Sequence, residues 1–206
     1  MDGAEGLIPP HGGYRKLRSF QCAQLVCDGA VVFCGRFVDK RSRTHDQMVQ
    51  AARSGVRNIA EGSVASATSK KTELKLTGVA RASLEELLLD FEDFLRQRGL
   101  RVWDKDSPEA LAVRGRHRTL RPASSDWSDK SDRSDPPDLS DPSDRSDPYR
   151  ISTASPEVAA NTLICLINQA TCLLRRQLQN LGQSFLAEGG FTERLYRERQ
   201  SRRAQR

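Results

Sequence analysis

From Lys71 onward, Leu76, Ala80, Leu84, Leu87, Phe91 and Phe94 recur at intervals of three and four. That spacing draws one apolar stripe along a helix with about 3.6 residues per turn. Gly78, Ala82 and Ser83 lie beside the stripe, where small side chains would let a neighbouring helix come close. The helix is expected to start at a cap supplied by Thr68 or Ser69 and to stop at Gly99. An earlier periodic segment from His45 to about Glu61 presents Met48, Ala51/Ala52, Val56 and Ile59/Ala60 on one side, with Thr44 as its expected cap. Gly62 follows it and is expected to close it in a positive-φ conformation. A first helix is predicted from Tyr14 to Asp39, through Leu17, Phe20, Ala23, Cys27, Ala30, Cys34 and Phe37.

After Gly99 the pattern lapses. Ser107-Pro108-Glu109 reads as a cap, a proline at the first helical position and an acid near the positive helix end, which predicts a short helix. From Ser125 to Pro148 the chain runs as eight triplets with Asp always second and Ser first in all but the one begun by Pro137. A period of three in Ser, Asp and Pro matches neither helix nor strand and cannot bury a core. Residues 118–150 are therefore expected to be a disordered linker. Ser155-Pro156-Glu157 repeats the cap arrangement and opens a last helix, with Val158, Leu163/Ile164, Ile167, Ala170, Leu174 and Leu178 as its buried side. The expected fold is all-α: an antiparallel, up-down four-helix bundle whose linker precedes the last helix. Its divisions are an N-terminal arm at 1–13, bundle helices and a short helix at 14–117, the linker at 118–150, the last bundle helix at 151–188, and a basic tail at 189–206, where Thr192 is expected to cap a short helix.

Composition sharpens this picture. A hydrophobic fraction of 37% is low for a chain that folds throughout. The net charge of +6 and pI near 9.3 attract polyanions. The linker holds eight Asp against six Lys or Arg, so the remaining residues are more basic than the total. Five cysteines without framework spacing, and an N-terminus without the pattern of a signal peptide, lead to the expectation of a cytoplasmic protein. No membrane segment is expected from the apolar runs.

Candidate chemistry is sparse. The sequence carries no phosphate-cradling glycine loop, GxSxG, HExxH or CxxC, so a non-catalytic protein without cofactor or metal is expected. Cys27/Cys34 and Cys165/Cys172 are each seven apart, two helical turns or about 10 Å along an axis, too far for one tetrahedral zinc. They read better as small core residues. The basic residues Arg15, Lys16, Arg18, Arg36, Lys40, Arg41, Arg43, Lys70 and Lys71, with Arg194 and Arg197 of the tail, are the candidates for a nucleic-acid surface; an ordinary solvated face is the alternative. With aromatics at 6%, sequence-independent electrostatic contact is favoured over base stacking. Arg53, Arg57 and Arg81 either face phosphates or pair inside the bundle with Glu61, Glu85 or Glu86, and the cost of unpaired buried charge favours pairing. Asn58 is expected to cap a helix or bond between helices.

Arg53-Ser54, Asn58-Ile59-Ala60-Glu61-Gly62, Ser69-Lys70-Lys71-Thr72-Glu73 and Ala80-Arg81-Ala82-Ser83-Leu84-Glu85-Glu86-Leu87 resemble a known family. It is the bacterial four-helix bundle proteins related to the product of 23S ribosomal RNA intervening sequences, which include the accessory variability protein of diversity-generating retroelements. The likeness covers roughly residues 14–100. Helix four and GGFTERLYRERQ resemble the subgroup with a four-helix-bundle suffix region. The resemblance implies a non-enzymatic bundle in which Arg53, Asn58, Glu61, Gly62, Arg81, Ser83 and Glu86 are structural motif residues. It also implies a homo-oligomer, a pentamer in the retroelement member, that binds nucleic acid and a reverse transcriptase. The Asp-Ser linker and the arginine tail are departures from the short family core. The function expected is an oligomeric nucleic-acid-binding adaptor; the alternative is a protein-interaction scaffold that binds no nucleic acid.

Overall fold

Serine side chains start most of the helices, and small residues decide where they touch. The computed structural model describes residues 13–119 and 147–189, with Glu193, Leu195, Tyr196, Arg199, Gln200 and Arg203 beyond them. Among the described residues all regular structure is helical. The helices are α1 (Arg18–Phe37), α2 (Arg43–Ala65), α3 (Lys70–Gln97), α4 (Pro108–Thr119) and α5 (Pro156–Glu188), preceded by a 3-10 turn at Tyr14–Lys16. The residues expected to form the N-terminal arm up to position 12, the Ser-Asp triplets up to Ser146 and the Thr192 cap lie outside the described residues.

The first predicted helix begins later than its periodicity suggests. Leu17 is extended, with ψ 124°, and separates the 3-10 turn from α1. Ser42, not Thr44, caps α2: its hydroxyl accepts the Thr44 N–H at 3.2 Å. Ser69 caps α3 by accepting the Thr72 N–H at 3.2 Å. Ser155 caps α5, whose first turn holds Pro156 and Glu157, and Ser107 accepts the Ala110 N–H in the first turn of α4. Each cap satisfies an amide that the helix start leaves without a partner. Gly99, at φ 62°, closes α3, and the Leu100 N–H returns to the Leu95 carbonyl at 3.0 Å. That is the six-to-one bond of a glycine helix stop.

Gly62 does not close α2. The helix continues to Ala65 and Gly62 is buried inside it. A Cβ there would sit 3.3 Å from Leu76 Cβ and 3.4 Å from the Glu73 carbonyl oxygen. A methyl there would require α3 to give by a few tenths of an ångström, so the glycine serves a close approach of the two helices. Gly55 repeats the device one level down, where a Cβ would fall 2.8 Å from Leu84 Cδ2. The close approach thus comes from glycines of α2. The small residues singled out on α3 contribute less: Gly78 has open space at its Cβ position and Ala82 is exposed.

α1 packs on α2 and α5, and α3 packs on α2 and α5; α4 rests on α5. Phe33 of α1 reaches across the middle to Phe91 and Phe94 of α3, with ring centroids 4.9 and 4.8 Å away in edge-to-face arrangement, the geometry that the ring quadrupoles favour. The core also buries Val26, Met48, Ile59, Leu84, Leu87, Leu163, Ile167 and Leu174. Val158, expected inside, is exposed, and Leu178 is half-buried. By length and composition α5 is apolar enough to cross a membrane, with a mean hydropathy of 1.3, but 56% of that window is buried in the molecule. Its apolarity is that of a core helix.

Chain direction is readable from cross-helix pairs. Met48 meets Cys34, and Arg53 and Arg57 act on Cys27. Ser19 bonds Gln177 at 2.7 Å, Gly29 faces Leu163, and Arg36 donates to the Ile151 and Ala154 carbonyls. Asn161 accepts the Trp103 N–H at 2.8 Å and donates to the Arg101 carbonyl.

Candidate nucleic-acid interface

These registers divide the candidate basic residues between two ends of the molecule. α1 rises about 1.5 Å per residue over its 20 residues, so its ends are about 30 Å apart. Arg15, Lys16 and Arg18 are exposed at the start of α1, level with the end of α2 and the first turn of α3. Lys70 and Lys71 occupy that turn; Lys70 pairs with the buried Glu73 at 3.2 Å, and Lys71 is exposed. Arg36, Lys40, Arg41 and Arg43 occupy the opposite end.

The two ends differ in their acids. Beside Lys40, Arg41 and Arg43, the Asp39 carboxylate accepts the Arg41 N–H at 2.9 Å. Arg43 shares a shallow groove of about 470 Å³ with Asp46 and Glu86 between α2 and α3. Glu86, Asp90 and Asp93 follow one another along a face of α3. Asp90 is held above the usual carboxylate range, first by burial and then by Glu86 and Asp93, and its charge is felt at Cys34 near the end of α1. At the Arg18 end the nearby acids are Glu73, already paired, and the exposed Glu61.

Arg36 has a structural task. Its guanidinium donates to the carbonyls of Ile151 and Ala154, the latter at 3.0 Å, and lies 4.3 Å from the Phe37 ring centroid. This fixes the turn leading into α5. Asp147, the last acid of the triplets, tightens the same turn by accepting the Ile151 N–H at 2.8 Å and the Ser152 N–H at 2.7 Å. Burial pushes the Asp147 carboxyl up, but those bonds and Arg36 outweigh it and leave it lowered. Tyr149 is buried in this turn, and its phenol is pushed up to about 12 by burial.

Of the motif residues, Asn58, Gly62 and Ser83 line the α2–α3 contact. Asn58 donates to the Ser54 carbonyl and hydroxyl at 2.9 and 3.0 Å, and Ser54 meets Ser83 of α3 at 2.9 Å. Asn58 thus lies mid-helix and acts across the interface through Ser54. Arg81 pairs with Glu85 one turn on in its own helix, at 3.3 Å, with 39% and 52% of the side chains exposed. That pairing runs along the surface, not between helices as expected, and such pairs are worth only ~0.3–0.5 kcal/mol. Arg53, Arg57, Glu61 and Glu86 are exposed.

Burial drives the Cys22 and Cys34 thiols up to about 12 and also raises Cys27 and Cys165. Among the described residues no three His, Cys, Asp or Glu side chains are grouped to hold a metal ion. Arg194 and Arg197 lie outside the described residues. Sequence reasoning passed over Arg175 and Arg176 of α5, which are exposed and adjoin the Ser19–Gln177 bond. Arg175 shares a groove of about 270 Å³ with Arg81, Glu85 and Cys172. The polar face of the last helix contained that signal. Comparison of this chain with protein-family models, with curated proteins and with solved structures finds no match.

Proposed function

We propose that this chain is a non-catalytic, oligomeric, antiparallel four-helix bundle adaptor that binds nucleic acid electrostatically. The observation that carries the reading is the exposure of Arg15, Arg18, Arg43 and Lys71 at helix starts and of Lys40 and Arg41 in the turn between α1 and α2. Cations placed in water at helix ends, on a chain of pI near 9.3, attract phosphodiesters without reading bases. The bundle topology is supported by the short α1–α2 and α2–α3 turns and by the Cys34–Met48, Gly55–Leu84 and Ser19–Gln177 pairings. The resemblance to the 23S rRNA intervening-sequence and retroelement accessory proteins points the same way. It adds a homo-oligomer and a reverse transcriptase as candidate partners, in a cytoplasmic setting.

A protein-interaction scaffold is the second reading. The outer face of α3 favours it, since Val79, Ala82 and Leu89 are exposed there, Leu89 by 62%. Fluorescence anisotropy with a labelled 20-nucleotide RNA separates the two. An electrostatic binder loses affinity steeply as salt rises from 50 to 200 mM; a scaffold leaves the RNA unbound at both.

A further inference from the structure

We infer that the phosphodiester backbone is held at one end only, where Arg175 and Arg176 of α5 join Arg15, Arg18 and Lys71. The inference rests on the nucleic-acid reading above and assigns it a place. Four observations lead there.

The Ser19 hydroxyl donates to Gln177 Oε1 at 2.7 Å, so the two arginines before Gln177 lie beside the start of α1. Arg18 shares the α5-facing side of α1 with Gly29 and Arg36, which are eleven and eighteen residues on, close to three and five whole turns; those two residues contact Leu163 and the turn entering α5. Arg18 therefore stands at the edge of α5 near Arg176. Glycine packing at Gly55 and Gly62 holds the start of α3, with Lys71, against the end of α2 on the same level. The 3-10 turn carrying Arg15 packs on both α1 and α2.

The opposite end has a comparable number of cations but a different field. Arg43 shares its groove with Asp46 and Glu86, Asp39 accepts the Arg41 N–H, and Asp90 lies one turn beyond Glu86 on α3, while Asp93 is paired with Arg96 at 2.6 Å. A polyanion approaching there meets repulsion within about one Debye length, ~8 Å at physiological salt. At the Arg18 end the ammonium of Lys70 neutralises Glu73 and Arg81 pairs with the Glu85 beside Arg175, which leaves the exposed Glu61 among Arg15, Arg18, Lys71, Arg175 and Arg176. A flexible backbone strand can lie along such a cluster and release one set of counterions.

The test uses the full chain, a labelled 20-nucleotide single-stranded RNA, and affinity measured from 50 to 300 mM salt. The variants are R175Q/R176Q and K40Q/R41Q/R43Q; all five side chains are exposed, and circular dichroism at 222 nm checks that the helices are retained. Each lost phosphate contact flattens the plot of log K against log salt by ~0.7 for a single strand. R175Q/R176Q is expected to flatten it by about 1.4, and K40Q/R41Q/R43Q to leave it unchanged. If the loop triple flattens the slope and the α5 pair does not, the assigned end is wrong while nucleic-acid binding stands. If the unaltered chain shows no salt-dependent binding, both readings fall.

Discussion

Two glycine-to-alanine substitutions on neighbouring helices should move stability in opposite directions, and the reason is a distance. Gly55 and Gly78 both lie inside helices, so each replacement gains ~1 kcal/mol of helix propensity. At Gly78 nothing lies within 4 Å of the new methyl, so that gain is kept in full. For a folded region of this size ~1 kcal/mol raises the melting temperature by about 2–4 °C. At Gly55 the methyl would fall 2.8 Å from Leu84 Cδ2 and 2.9 Å from Leu84 Cγ. Carbon atoms prefer about 3.5–4.0 Å, so Leu84 must retreat by most of an ångström. Leu84 is fully buried, and overpacking of this kind costs ~1–3 kcal/mol. The net effect of G55A runs from about zero to 2 kcal/mol destabilising, and its separation from G78A is ~1–3 kcal/mol. Urea unfolding followed at 222 nm, with equal m-values, reads that separation. If G55A stabilises as much as G78A, α2 and α3 do not meet at Gly55, and the account of the glycines is wrong.

Further outcomes follow from the same structure. R36Q removes a cationic donor from the Ile151 and Ala154 carbonyls; it should lower stability by ~1–3 kcal/mol and speed amide exchange in the first turn of α5. Asp90 has its folded-state pKa raised, so its burial and its acidic neighbours cost stability at neutral pH. That cost is present above the raised value and vanishes once the pH falls below the ordinary carboxylate range. D90N should therefore stabilise the protein at pH 7 and gain nothing near pH 3, as thermal melts at the two pH values would register. Cys22 and Cys34, held at about 12 by burial, should stay unmodified by iodoacetamide at pH 8 and react only in urea, with peptide mass spectrometry as the readout. Labelling of either at the native rate of an exposed thiol would mean that α1 is open.

The helical class was legible because period and punctuation agree. The stripe through Ala80, Leu84, Leu87, Phe91 and Phe94 is the stripe that is buried, and Ser69, Ser155 and Gly99 stand at the ends they announce. Gly62 misled because a glycine after a periodic run fits a helix stop as well as a close crossing. Only the position of Leu76 and the Glu73 carbonyl separates the two. Arg36 looked like one cation of a basic group, because nothing local in sequence says that carbonyls more than a hundred residues later will need a donor. The candidate surface was legible as charge but not as place. Arg15, Lys40 and Lys71 look alike along the chain, and their difference lies in the acids that folding brings beside one end.

The measurement closest to the central claim is an amide chemical-shift map of the full chain as a 20-nucleotide RNA is added. Residues 14–18, 70–75 and 173–179 should move together and saturate at one concentration, while residues 39–46 and 86–93 stay in place. Shifts centred on 39–46, or no shifts at any concentration, would contradict the account.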